Sequence, residues 1–74
     1  MTERKWREEF GRKLRMVLDE RNMTQADLAN AIDISEVSVS RYMRGLRTPS
    51  CYIVSRFCEV LGLPDNYFSA DTED

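Results

Sequence analysis

The chain has 74 residues, of which 42% are hydrophobic and 32% charged, with a formal net charge of −2. That length allows one small domain and leaves no room for a doubly wound sheet, a barrel or a deep enclosed active site. There is no histidine, and the only two cysteines are Cys51 and Cys58, so His-ligated metals, His-based catalysis and a disulfide framework are all excluded.

No apolar run approaches the ~20 residues that cross a bilayer, and the N-terminal residues lack the apolar core of a signal peptide. A cytoplasmic protein with reduced thiols is expected. Two turns apart on one helix, Cys51 and Cys58 lie about 10 Å from each other, beyond the ~7 Å that a disulfide bridges. They read as core fillers, and no metal or cofactor is expected. The net charge conceals an uneven distribution. Residues 1–47 carry ten of the eleven Lys and Arg against eight acids, and residues 48–74 carry Arg56 against five acids. Arg41, Arg44 and Arg47 follow one another without an intervening acid. The local field therefore permits a nucleic-acid partner that the total charge does not suggest.

The strand template fits nowhere, and the helix template fits repeatedly. A first helix is predicted from about Glu3 to Arg21, with Thr2 as N-cap and Asn22 as left-handed terminator. At about 100° per residue, Trp6, Phe10, Leu14, Val17 and Leu18 share one face. Arg4, Lys5 and Arg7 read as a solvated face. Thr24 opens a second helix, and Asp27 completes a capping box. Leu28, Ala29 and Ile32 point inward. After the tight turn Asp33-Ile34-Ser35, a third helix runs from about Glu36 to Met43 or Arg44, capped by Ser35 and ended by Gly45. Ser50 caps a fourth helix, Cys51 to Leu61, which Gly62 closes. Its inward arc holds Cys51, Val54, Phe57, Cys58 and Leu61. Pro64 opens a fifth, short helical turn through Phe68. Ser69 to Asp74 is an acidic, frayed tail. The expected architecture is an all-α domain of five helices over residues 1–68.

Two short helices joined by a tight turn form a helix-turn-helix, in which the second helix projects into the DNA major groove. Helical projection places Glu36, Val37, Ser40, Arg41 and Arg44 on one face of the third helix, with Ser38 at its boundary. Val39, Tyr42 and Met43 lie on the other. Arg41 can offer a bidentate fork to guanine, Glu36 can accept from cytosine N4, and Val37 can pack on a thymine methyl. Gln25, Ser35, Ser38 and Ser40 can bond phosphates, and Arg44 and Arg47 are placed to reach a flanking phosphate.

The segments Thr24-Gln25-Ala26-Asp27-Leu28-Ala29, Ile32-Asp33-Ile34-Ser35, Val39 to Gly45 and Pro49-Ser50 closely resemble the phage-repressor helix-turn-helix family. That family is the Cro/CI-like, XRE-type group of transcription regulators. The likeness covers about residues 8 to 68, including Phe10-Gly11-Arg12-Lys13-Leu14-Arg15 and Leu61-Gly62-Leu63. The resemblance implies a five-helix domain that binds double-stranded operator DNA, an inverted repeat, as a dimer with its third helix in the major groove. It implies that Gln25 contacts a phosphate and helps orient a side chain of the third helix. It makes Glu36, Val37, Ser40 and Arg41 base readers. Three positions depart from the family pattern. Asp33 stands where Gly is usual, Leu18 and Met43 stand where an Arg–Glu pair is frequent, and Glu36 puts a negative charge near the phosphates.

A repressor of phage or mobile-element type is the function expected from these features. The alternative is a non-enzymatic protein-interaction module, such as an antitoxin-like partner binder on the same fold. No membrane or small-molecule partner is expected, and no nucleophile motif, phosphate loop or carboxylate pair suggests an enzyme. Leu63, Pro64, Tyr67 and Phe68 form an apolar cluster beyond the fourth helix, expected to be an exposed surface for weak homodimerisation that DNA reinforces.

Overall fold

The computed structural model describes residues 2–68. The tail of residues 69–74 lies outside them. Four helices make up the fold: α1 (Glu3–Glu20), α2 (Gln25–Ile32), α3 (Glu36–Met43) and α4 (Cys51–Leu61). The described residues contain no strand.

Every helix starts and stops by the same chemistry. Thr2, Thr24, Ser35 and Ser50 each adopt extended backbone and accept, through the side-chain hydroxyl, an N–H three residues on. Each cap satisfies one of the donors that a helix start leaves open, for about 1 kcal/mol. At the other ends, Asn22, Asp33, Gly45 and Gly62 all have positive φ. In each case the following N–H reaches back five residues: Met23 to Leu18, Ile34 to Ala29, Leu46 to Arg41 and Leu63 to Cys58. This is the Schellman closure, which turns the chain sharply while satisfying carbonyls that the helix abandons.

The core draws on all four helices. Phe10, Leu14, Val17 and Leu18 of α1 meet Leu28, Ala29 and Ile32 of α2, Val39, Tyr42 and Met43 of α3, and Phe57, Cys58 and Leu61 of α4. Aromatic rings organise one end. Phe10 lies 5.3 Å from Trp6, 5.9 Å from Phe57 and 4.7 Å from Phe68, and Tyr42 meets Phe57 edge-on at 6.0 Å. Leu18 and Met43 are both buried, at 2% and 8% exposure. Both positions where the resembling family favours an ion pair therefore belong to an apolar interior here.

Two expectations fail. The fifth helix is absent: Asp65–Phe68 is a turn, in which the Tyr67 N–H donates to the Pro64 carbonyl at 3.0 Å. A single turn falls below the length at which a helix sustains itself. Burying the Phe68 ring is worth about 1.5–3 kcal/mol, so the ring's place against Phe10 decides the backbone path. The second failure is Cys51, which shares the azimuth of the buried face but is exposed. It is the first residue of α4, so its side chain hangs beyond the end of the core. Cys58 is buried as expected. Burial, with the Asp65 carboxylate adding to it, pushes its thiol above the usual range, which keeps it protonated and unreactive.

One glycine sets the spacing of α1 and α3. A Cβ at Gly11 would lie 2.4 Å from the Met43 carbonyl oxygen and 2.9 Å from that of Tyr42. These are backbone atoms, which cannot swing aside. Gly11→Ala should therefore push α3 off α1 and cost about 1–3 kcal/mol. In a domain of this size each kcal/mol lowers the melting temperature by about 4–8 °C. A melting temperature at or above that of the parent would contradict the close contact.

Candidate nucleic-acid interface

The α2–α3 unit is assembled from local rules. Thr24 and Asp27 exchange bonds, Thr24 N–H to Asp27 Oδ2 at 3.0 Å and Asp27 N–H to Thr24 Oγ1 at 3.0 Å. Asp33 adopts the left-handed conformation (φ 61°, ψ 48°), where a glycine would be easier. Aspartate is among the residues that best tolerate it. Ile34 then tucks against the core, and Ser35 begins α3.

Along α3 the two faces separate as helical projection predicts. Val39, Tyr42 and Met43 are buried, whereas Glu36, Val37 and Arg41 are exposed. Val37 shows 58% of its surface, as several other apolar side chains of the chain do, Met16, Leu46 and Tyr52 among them. Ser38 and Ser40 are half-buried shoulders of this face, and Gln25 is half-buried in the first turn of α2. Ser35 is engaged by the helix itself. Its Oγ accepts the Ser38 N–H at 3.1 Å, and its hydroxyl donates to Ser38 Oγ at 3.0 Å. Ser35 is therefore a cap first, and a phosphate would have to compete for its proton.

Beyond α3 the exposed Arg44 and Arg47 flank Gly45 and Leu46. Leu46 is 61% exposed, a feature that sequence reasoning did not single out. The Arg47 guanidinium carbon sits 5.9 Å from the centre of the Tyr42 ring, within cation–π range. Ion pairs among the described residues engage Arg4, Arg7, Arg12, Arg21 and Arg56. Arg41, Arg44 and Arg47 have no carboxylate partner among those residues. Three unneutralised guanidinium groups thus border one exposed face.

A family model described as "Helix-turn-helix domain" matches residues 9–67. The chain belongs to the helix-turn-helix domain family. No curated protein matches the chain. A helix-turn-helix domain binds DNA through the exposed face of its second helix, which here is α3.

The expected association surface is altered. Phe68 is core, at 2% exposure. Leu63 is half-buried, and only Pro64 and Tyr67 remain exposed. The ring of Phe68 is consumed by its own body because Phe10 offers it a partner at 4.7 Å. It forms instead the floor of an open groove of about 270 Å³ whose lining includes Trp6, Cys51, Val54 and Asp65. Among the described residues no cluster of three or more Cys, Asp or Glu could hold a metal, and no helix is long and apolar enough to cross a membrane.

Sequence reasoning also missed a contact of α1 with the loop after α3. Arg7, read as solvated, is partly buried and donates from Nε to the Gly45 carbonyl at 3.2 Å. No local signal reveals a bond that spans 38 residues.

The exposed arginines should differ in role. Arg41→Ala should cost about 1–3 kcal/mol on the preferred site and relax preference at one base pair. Arg47→Ala should weaken all sequences about equally and lower the magnitude of the salt slope by about one. Binding titrations on matched and mismatched duplexes over a salt series separate the two. An unchanged consensus for Arg41→Ala would remove it from the base readers.

Proposed function

We propose that this protein is a sequence-specific transcription regulator of the Cro/CI-like, XRE type, a cytoplasmic, non-enzymatic repressor of the kind that phages and mobile elements carry. The observation that carries this reading is the exposed face of α3, which joins Glu36, Val37 and Arg41 to Arg44 and Arg47 and carries no carboxylate partner for its arginines among the described residues. In the major groove, Arg41 would fork onto guanine O6 and N7, Val37 would cover a thymine methyl, and Glu36 would accept from cytosine N4. Gln25, Ser38 and Ser40 would bond phosphates at the shoulders, and Arg44 and Arg47 would hold the flanking backbone.

Glu36 gives this reading its selectivity. A carboxylate among phosphates is repelled unless a cytosine amino group meets it, so Glu36 lowers affinity for wrong sequences more than it raises affinity for the right one. The same exposed carboxylate and the acidic net charge also favour a second reading, a non-enzymatic protein-interaction module on the same fold, while the unpaired Arg41, Arg44 and Arg47 count against it. Salt dependence separates the two. Phosphate neutralisation gives a slope of about −0.9 for each contact, whereas a few protein–protein ion pairs give a shallow slope.

One α3 reads only a few base pairs, so a selective site calls for two copies on half-sites about 34 Å apart. With Phe68 in the core, the remaining apolar surface at Pro64 and Tyr67 is small. A free dimer should be weak and DNA should supply most of the coupling. Sedimentation at micromolar protein should show monomer, or monomer with some dimer, in the absence of DNA and two chains per duplex on a selected palindrome. A one-to-one complex at saturating protein would defeat the dimer.

A further inference from the structure

We propose that Arg7, with Glu3 and Thr48, forms a clasp that fixes the loop after α3 and so sets Arg47 in position for a DNA phosphate. This rests on the DNA-binding reading above, and gives the first two turns of α1 a role that neither the family match nor the exposed face of α3 assigns.

The loop leaving α3 needs an external tether. It begins at Gly45, with φ 71°, where the chain turns away from the helix. The Leu46 side chain, which in a Schellman closure often packs back on the helix, is instead 61% exposed. Apolar burial therefore anchors the loop only at its far end, where Pro49 is buried, and not at Leu46. Arg7 supplies the near anchor by polar means. Its side chain is only 25% exposed, and its Nε donates to the Gly45 carbonyl at 3.2 Å.

The same guanidinium also pairs with the carboxylate of Glu3, which is 69% exposed. Arg7 Nη1 lies 3.6 Å from Glu3 Oε2, and that same carboxylate oxygen accepts the Thr48 hydroxyl at 2.7 Å. The chain of contacts thus runs from Gly45 through Arg7 and Glu3 to Thr48, and it closes both ends of a four-residue loop onto α1. Backbone packing accompanies it, since a Cβ at Gly45 would be in ordinary van der Waals contact with Glu8 of α1.

Arg47 lies inside this closed segment. Its guanidinium is over the Tyr42 ring at 5.9 Å, and Tyr42 is itself buried at 5% exposure. An arginine on an untethered loop samples many rotamers and loses that freedom when it binds a phosphate. Clasped at Gly45 and Thr48 and laid on a fixed ring, Arg47 has surrendered much of it beforehand. Arg7 is a positioning residue in this scheme, with its guanidinium already engaged by the protein and not by DNA.

The test pairs Arg7→Met, which keeps the length of the side chain and removes its donors, with Thr48→Val, which removes the other end of the clasp. Both substituted positions lie outside the core, so the melting transition should stay cooperative. In NMR spectra of the free protein, the Arg47 side-chain protons should lose the shift that the Tyr42 ring imposes. Residues 45–48 should show lower order parameters in both variants. On DNA, Arg7→Met should weaken binding with the salt slope unchanged, because Arg47 still neutralises its phosphate in the complex and only its ordering cost rises, and Arg7→Met combined with Arg47→Ala should bind no more weakly than Arg47→Ala alone.

Unchanged Arg47 shifts and loop order in both variants would overturn the clasp. Additive losses on DNA would overturn the positioning role, because they would mean that Arg7 touches a phosphate itself. If the parent protein binds no duplex, the DNA-binding reading fails, while the NMR comparison still decides whether the clasp exists.

Discussion

The backbone contact between α1 and the end of α3 governs the rest of this structure. Gly11 lets the two helices approach until nothing larger than a hydrogen fits between the α1 Cα and the carbonyls of Tyr42 and Met43. Glycine in a helix interior costs roughly 1 kcal/mol against alanine, and the return is rigid placement. With its last turn pressed on α1, α3 cannot roll, and the division between its buried and exposed faces becomes a fixed feature of the molecule. The partly buried bond of Arg7 to Gly45 continues the same seam one turn further along α1. If α3 reads base edges as proposed, its side chains must be held to within about 0.5 Å, and this seam would supply that support.

Eight residues of α3 have to serve two solvents. Val39, Tyr42 and Met43 go to the core, and little is left over for recognition. Ser38 and Ser40, at the shoulders, are too short to reach far. Under the proposed DNA-binding reading, selectivity would fall to Glu36, Val37 and Arg41, and general affinity to Arg44 and Arg47. This distribution also resolves the acidic net charge. Most of the arginines on α1 and α4 are spent on neighbouring glutamates, while Arg41, Arg44 and Arg47 keep their charge unneutralised among the described residues. Arg41, Arg44 and Arg47 therefore outnumber the one exposed acid of α3, Glu36, although the chain as a whole is acidic.

How much of this was legible in the sequence follows from the range of each interaction. Caps are local. Thr2, Thr24, Ser35 and Ser50, and the left-handed Asn22, Asp33, Gly45 and Gly62, are all readable because each acts within five residues of itself. Helical periodicity identifies the face of α3 for the same reason. Periodicity does not say where the core ends along a helix axis, and so it misplaces Cys51 inside. Neither does it say which partner a short terminal segment finds. Phe68 reads as an exposed member of an association patch because Phe10, which takes it in, is 58 positions away. The Arg7–Gly45 bond is hidden by the same distance. Gly11 is an intermediate case, since a glycine inside a strong helical pattern signals a close approach without naming what approaches.

Selection of bound duplexes from a random DNA library, followed by sequencing, tests the central proposal most directly, because it presumes neither the operator nor the role of any residue. A fixed α3 face used by two copies should enrich an inverted repeat. Its half-sites should be spaced by about one helical turn, with a guanine at one constant position in each half and a preference that disappears when Arg41 is replaced by alanine. A library that emerges without enrichment at low and moderate salt alike would contradict sequence-specific binding and leave the α3 face to a protein partner.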